Sequence, residues 1–353
     1  MFLQDRGAGI EMRILAINNY DLDWPLREWG KVPKHQFWGV DYIRQCGDVV
    51  DTYNWTIPRV FFWFFRKYAT KVYSFVWYMY LFLYGKKDDT IVSFFSYDPC
   101  LKTLVSLKQK GVISARIITV VHHSGVSQHL LSKFDKCIFL SKEILEKSYK
   151  SLNKEKTCCL WWGADLSFYE IAYSQMKRTK EERYRNMIVV STGKTTRDNK
   201  LLSNACDSLK IRCLLFDKSI NETIYTKTTS RAGYLDMVSR MTKCSINAVP
   251  VINFNKGEIQ SIRGFTSIID GLALGMPLLV SDNCNLPFNV EELHMGLYYR
   301  NGNLDSLIDK LSYMSTNSAL LEEMSRNARN FATKNDYLKY CKELYEVLKS
   351  SNR

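Results

Sequence analysis

The sequence predicts an α/β protein built from two Rossmann-like domains with an interdomain cleft. Three observations predict it. Short apolar runs alternate with amphipathic stretches along the whole chain, the pattern of βαβ units around mainly parallel sheets. The runs are continuously apolar rather than alternating, as in strands covered on both faces. The 353 residues are too many for one comfortable core and suit two domains of roughly 150 to 200 residues.

In the first half, strands are expected at Arg13–Asn18, Ile91–Phe95, Ile117–Val121, Cys137–Ser141 and Cys158–Trp162. Helical periodicity lies between them, for example over Leu101–Gln109 and Lys142–Tyr149. Residues 171–186 then turn polar and charged and read as a linker. A second series opens at Met187–Thr192 and continues with Ile211–Phe216, Cys244–Val251, Pro277–Ser281 and Leu297–Tyr299. Helices are expected at 198–209, 233–242, 266–275, 303–314, 317–332 and 335–349. The implied division is a first domain over residues 1–175, a second over 176–335, and a terminal helix within 336–353. Open α/β sheets bind ligands beyond the carboxyl ends of their strands, so the cleft between two such ends is the expected site.

With 46% apolar residues both domains can bury a core, and disorder is not expected. The formal net charge of +13 favours anionic partners such as nucleotide diphosphates or acidic lipid headgroups. Neither zinc-finger spacing nor a long Lys/Arg arm is present, which argues against nucleic acid. None of the ten cysteines forms Cys-x-x-Cys, and several sit inside apolar runs such as Lys136–Leu140, as buried thiols of a reducing compartment do. Met1 to Met12 holds Asp5, Arg6 and Glu11 and no apolar run, so it does not read as a secretory leader; residues 1–11 read as an extension.

Residues 60–84 are dense in aromatics, and Lys86 and Lys87 follow. Arg66, Lys67 and Lys71 interrupt the run, leaving 13 uncharged residues from Val72 to Tyr84. A spanning helix needs about 20. Two readings stay open for 60–87: an interfacial helix on an anionic membrane surface, and a core helix with snorkelling cations. The first places the chain in the cytoplasm, peripheral on the inner face of the membrane.

The most informative stretch runs from Arg263 to Asp282. Gly264 allows close backbone approach. Phe265, Thr266 and Ser267 follow, and the latter two can open a helix whose free N–H groups face a diphosphate. Asp270 falls one turn further on, within reach of ribose hydroxyls. Gly275 closes the helix and Pro277 starts a buried strand.

This segment resembles the donor-site helix of retaining GT-B glycosyltransferases, the large "glycosyl transferases group 1" family that builds capsules, O-antigens and exopolysaccharides. Their pattern is a Gly-rich turn, an acidic residue, then Ala-x-Gly-x-Pro and a hydrophobic strand. The resemblance implies that backbone amides of the turn hold phosphates and that Asp270, where the family usually has Glu, holds the ribose. A further Glu, eight positions earlier in the family, is Ile262 here, beside Arg263; Glu258 in the preceding loop is the candidate replacement. Thr192–Asp198 resembles the family loop after the first strand of the second domain, which implies that Gly193, Lys194 and Arg197 contact the donor diphosphate, as point charge and fork donor. Tyr234–Val238 resembles the helix before the strand that opens the donor loop, Trp162–Asp165 the end of the first domain, and Asp336–Leu348 the helix that crosses back onto it.

Val120–Gly125 ends a buried strand of the first domain, and family members place a His there near the donor sugar. Either His122 or His123 fits, as a hydroxyl or charge partner, and packing histidines are the alternative. Gly39, at the entry to a helix, is the candidate for close approach on the acceptor side. The implied reaction is transfer of a hexose-type sugar, with retention, from a nucleotide-diphosphate sugar to a glycan or lipid-linked acceptor, charge stabilisation falling to Lys194, Arg197 and helix amides. No His/Cys cluster has metal spacing, so no metal and no cofactor is expected. The rivals are a sugar-nucleotide epimerase of the same fold and a catalytically silent sugar-nucleotide or lipid-binding subunit.

Overall fold

The computed structural model describes residues 12–24, 28, 30–54, 63, 68–84, 89–193, 196–230, 233–252 and 260–350. The first half runs β1 (Arg13–Asn18), α1 (Val40–Gln45), β2 (Val49–Asn54), α2 (Ala69–Tyr84), β3 (Thr90–Ser93), α3 (Asp98–Gln109), β4 (Arg116–Val121), α4 (Gln128–Leu131), β5 (Lys136–Phe139), α5 (Lys142–Ser148) and β6 (Thr157–Cys159). Two helices, α6 (Leu166–Arg178) and α7 (Lys180–Arg185), lead into the second half. It runs β7 (Ile188–Ser191), α8 (Asn199–Leu209), β8 (Arg212–Leu215), β9 (Thr226–Thr228), α9 (Tyr234–Met241), β10 (Ile246–Val249), α10 (Phe265–Ala273), β11 (Leu278–Ser281) and β12 (Gly296–Tyr299). Three helices close the chain: α11 (Leu304–Ser315), α12 (Ser318–Lys334) and α13 (Tyr337–Lys349).

Each half is one six-stranded parallel sheet, ordered β2-β1-β3-β4-β5-β6 and β12-β11-β10-β7-β8-β9. Apolar runs become fully buried strands, as in β3 and β10. Helix starts follow capping chemistry: Asp198, Asn303, Asn317 and Asp336 each accept a backbone N–H from the first turn that follows. The order reverses between β1 and β3 in one sheet and between β7 and β10 in the other. These reversals open a crevice beyond the strand ends, where ligands of doubly wound folds sit. The loops after β1, β4, β7 and β10 therefore define where a site belongs.

Residues 171–186 are not an extended linker. They lie in α6 and α7, which bury Tyr169, Met176 and Arg183. The Arg183 guanidinium donates to the carbonyls of Cys244 (2.7 Å) and Met176 (3.1 Å). The charge run thus contributes an internal tie, because a guanidinium buried against carbonyls is hydrogen-bonded rather than solvated. Two strands escape the sequence reading. Both β2 and β9 are polar edge strands, which carry no continuous apolar signal.

α13 returns to the first half. Tyr337 N–H donates to Ala164 O at 2.9 Å, its hydroxyl bonds the buried Asp41 carboxylate, and Arg116 donates to Leu348 O at 2.8 Å. Gly163 makes the crossing possible, since a Cβ there would lie 1.9 Å from Asn335 O.

Candidate active site

The two sheets meet across a cleft of about 470 Å³. Its first-half wall comes from the loop after β1 (Tyr20, Gln36, Trp38) and from His122 and His123 after β4. Its second-half wall is the continuous run Ser261–Thr266 at the start of α10. The walls touch through main chain. His123 and Ser261 form an antiparallel bridge, Ser124 N–H donates to Gln260 O at 2.9 Å, and Ile262 N–H donates to His122 O at 3.4 Å.

Gly264 caps α10 at φ 89°, a left-handed conformation that a side chain resists. A Cβ there would also meet Val249 Cγ1 at 2.6 Å. The glycine lets the helix start against β10. Phe265 N–H is used by Ile262 O at 3.2 Å, and the Phe265 ring packs edge-on against Trp162 at 4.8 Å. Thr266 lines the cleft and Ser267 lies buried behind it. First-turn N–H groups have no intrahelical acceptor, so this end presents positive dipole.

Arg197 reaches the same point from the loop after β7. Its guanidinium lies over Gly193, where an added Cβ would fall 2.3 Å from Nε, and Nη2 donates to Ser267 Oγ at 3.4 Å. Burial lowers its pKa from the ordinary arginine value, yet a guanidinium stays charged at any physiological pH. Gly193, Arg197, Gly264 and Ser267 are therefore brought together: a fixed cation beside a helix N-terminus, at the second sheet's topological switch. Lys194 and Glu258, also expected here, lie outside the described residues.

His122 Nε2 lies 2.8 Å from Phe94 O. A carbonyl only accepts, so Nε2 carries the proton and Nδ1 the lone pair. Burial pushes the His122 pKa from the usual 6.5 down to about 4, so the ring is a neutral hydrogen-bonding group. Its contribution to stability is full above pH 6.5 and drains away as pH falls toward 4, by about 1.4 kcal/mol per unit. Denaturant midpoints between pH 7 and 5 are expected to fall more steeply for the wild type than for His122→Gln. His123 is also shifted down, first by burial and then by Arg263 across the cleft; its Nδ1 accepts from Gly125 N–H at 3.1 Å. Both histidines line the cleft.

Two expected residues sit elsewhere. Gly39 does not face the acceptor side: it turns the chain at φ 87° against α13, where a Cβ would meet Leu344 Cδ2 at 3.0 Å, and its N–H donates to Tyr337 Oη at 3.0 Å. Asp270 is 2% exposed and outside the cleft lining. The Tyr169 hydroxyl from α6 donates to its Oδ1 at 2.5 Å. The carboxylate lies in the layer between α10 and α6, paired with that phenol, and does not line the cleft. Asp270→Ala is accordingly expected to cost about 1–3 kcal/mol of stability, the cost of leaving a buried phenol unpaired, with donor KM moving little. Chemical denaturation and steady-state kinetics on the same variant separate the two effects.

Trp38 is the residue that sequence reasoning missed most clearly. It takes φ 56°, rare for a bulky side chain, and packs 5.4 Å from His122 and 4.6 Å from Trp162. Its Nε1 donates to Tyr20 Oη at 2.8 Å. Only the neighbouring Gly39 signalled a turn there. The chain also carries an Asp-x-Asp triplet, Asp21-Leu22-Asp23, in the loop after β1, where the sequence reading expected no such motif. Asp23 is ion-paired with Arg44 at 2.7 Å and takes the Thr52 hydroxyl at 2.5 Å. Among the described residues no group of three or more His, Cys, Asp or Glu is placed to hold a metal ion.

Two parallel six-stranded Rossmann-like sheets facing across such a cleft define the GT-B fold, and this chain has it. No family model and no curated protein sequence matches the chain. Among solved structures it is similar to a glycosyltransferase from Rickettsia africae, with a TM-score of 0.65 and 13% identity over 97% of this chain and 100% of that one. It is similar to sucrose-phosphate synthase from Thermosynechococcus elongatus, with a TM-score of 0.70 and 12% identity over 96% and 99%. It is also similar to HepE of Anabaena in complex with UDP and glucose, with a TM-score of 0.64 and 14% identity over 96% and 100%.

Proposed function

We propose that the chain is a glycosyltransferase that moves a hexose-type sugar, with retention, from a nucleoside-diphosphate sugar to a glycan or lipid-linked acceptor in cell-surface polysaccharide synthesis. The observation that carries this reading is the convergence of Arg197 and Gly193 on the Gly264-capped start of α10, whose Gly264, Phe265 and Thr266 line the interdomain cleft. A leaving diphosphate gains charge as the glycosidic bond breaks, and a fixed guanidinium beside helix amides stabilises that charge without reorganising. His122 offers a neutral lone pair to a sugar hydroxyl. In this reading charge stabilisation rests on protein groups alone, without a metal. Glycosyltransferase neighbours, one holding UDP and glucose, support it. The test is a panel of nucleotide sugars read as thermal stabilisation, followed by an assay for free nucleoside diphosphate and a new glycoside. A free diphosphate without any glycoside-forming acceptor, or an epimerised donor, would count against transfer.

One observation favours a second reading, a sugar-nucleotide-binding subunit without turnover. Ile262 stands where the resembling family has Glu, and Asp270 is held beneath Tyr169. Binding across the panel with no product from any acceptor would select it.

The chain is further proposed to work on the cytoplasmic face of a membrane. No helix among the described residues is long and apolar enough to cross one. In α2, Trp77 and Leu81 are buried, while Phe75 (63% exposed), Met79, Phe82 and Leu83 (58%) form an outward stripe near the exposed Lys71. Apolar stripes beside cations suit anionic lipid. Flotation with vesicles containing phosphatidylglycerol is expected to carry the wild type, and Phe75→Glu with Leu83→Glu to lower the bound fraction by about tenfold or more. Equal flotation of both proteins would remove α2 from the membrane.

A further inference from the structure

Among the described residues the cleft is lined by one guanidinium that the diphosphate reading does not use, whereas Arg197 lies outside the lining. That guanidinium belongs to Arg263, half-buried, immediately before Gly264. Among the described residues it has neither an ion-pair nor a hydrogen-bond partner. No carboxylate lines the cleft among those residues. Of the histidines beside it, His122 is neutral and donates to Phe94 O, and the His123 pKa is shifted down by burial and by Arg263 itself. The remaining wall is apolar or hydroxyl, with Trp38, Trp162 and Ile262 on one side and Ser261 and Thr266 on the other.

The two guanidiniums occupy different sides of the helix start. Arg197 lies over Gly193 and against Ser267, on the β7 side. Arg263 lies within electrostatic reach of His123, on the first-half side of the cleft. Neutral sugars are normally gripped by carboxylates, which accept from their hydroxyls. This wall supplies a fork donor instead, and a half-buried guanidinium without a counter-ion is complementary to a planar or tetrahedral anion.

We propose that Arg263 forms an anion subsite for a second negative group, a carboxylate or phosphate borne by one of the two sugar substrates in addition to the donor diphosphate. This rests on the donor-site reading above and narrows it. The donor source is a uronic acid residue being transferred; the acceptor source is a phosphorylated sugar. Both present the same chemistry to the guanidinium.

The experiment uses matched pairs on the full chain, by calorimetric titration. The donor arm compares UDP-glucose with UDP-glucuronate and GDP-mannose with GDP-mannuronate. The acceptor arm compares glucose with glucose 6-phosphate and mannose with mannose 6-phosphate, in the presence of UDP or GDP. The wild type is expected to bind the charged member of at least one pair roughly tenfold to a hundredfold more tightly. Arg263→Gln is expected to bring that ratio toward one, and Arg263→Lys to restore part of it. The arm that shows the ratio identifies the source. Equal affinities within every pair overturn the inference, as does a ratio that survives Arg263→Gln. Equal weakening of both members by that variant makes Arg263 a diphosphate contact and also overturns it. Failure of UDP and GDP alike to bind the wild type sinks the donor-site reading as well, so the two failures are distinguishable.

Discussion

Arg197→Ala is expected to lower kcat by about 10²–10³, the scale for removing one preorganised charge-stabilising group. The structure explains why the effect falls on turnover. The guanidinium is fixed over Gly193 and against Ser267 Oγ, so under the proposed function it would be in place before charge develops on a leaving diphosphate. Interactions that strengthen only as the bond breaks raise kcat rather than affinity. Steady-state kinetics with the donor selected from the nucleotide-sugar panel checks this, and Arg197→Lys is expected to recover only part because the fork geometry is lost. A rise in KM with unchanged kcat would assign Arg197 to ground-state binding.

Gly264→Ala is expected to remove nucleoside-diphosphate binding, by more than about tenfold in Kd, and to cost about 1–3 kcal/mol of stability, the usual range for overpacking. Two independent reasons combine. The residue sits at φ 89°, and its Cβ would meet Val249 Cγ1 at 2.6 Å. Val249 is a β-branched side chain in a fully buried strand and has little freedom to yield. The start of α10 must move, and the amide groups of its first turn move with it. Titration with UDP and GDP alongside thermal unfolding reads both effects. A variant that binds as the wild type does would detach the α10 terminus from the site.

Much of this architecture was legible because continuous apolar strands and capped amphipathic helices leave unambiguous patterns. β1 starts and ends where the sequence places it, and the strands of the second half agree within two residues. Polar edge strands such as β2 and β9 lack that signal, since one side of an edge strand faces water. The burial of Arg183 within the linker was not legible for a related reason: sequence shows a charge, and only tertiary structure shows the carbonyls that satisfy it. At the site, Gly264 was legible as a turn glycine because its φ of 89° demands one, and a Cβ at Gly193 would meet the Arg197 guanidinium. Gly39 has the same signature, yet it serves the return of α13. Asp270 shows the limit of motif transfer, because only tertiary structure shows that its carboxylate pairs with a neighbouring phenol. Trp38 carries no local motif, and Arg263, at the start of the motif stretch, shows no role there that the sequence alone reveals. They enter the cleft through the folding together of loops that are distant in the chain.

The seam that joins residues 122–124 to 260–262 runs largely through main-chain atoms. Amide and carbonyl groups survive almost any replacement of the side chains they carry. Cleft positions such as His123 and Arg263 can thereby change, altering what the cleft accepts, while the grip between the two halves persists. Selectivity in this scaffold is separable from closure, and a designer exchanging those side chains would retune the first without loosening the second.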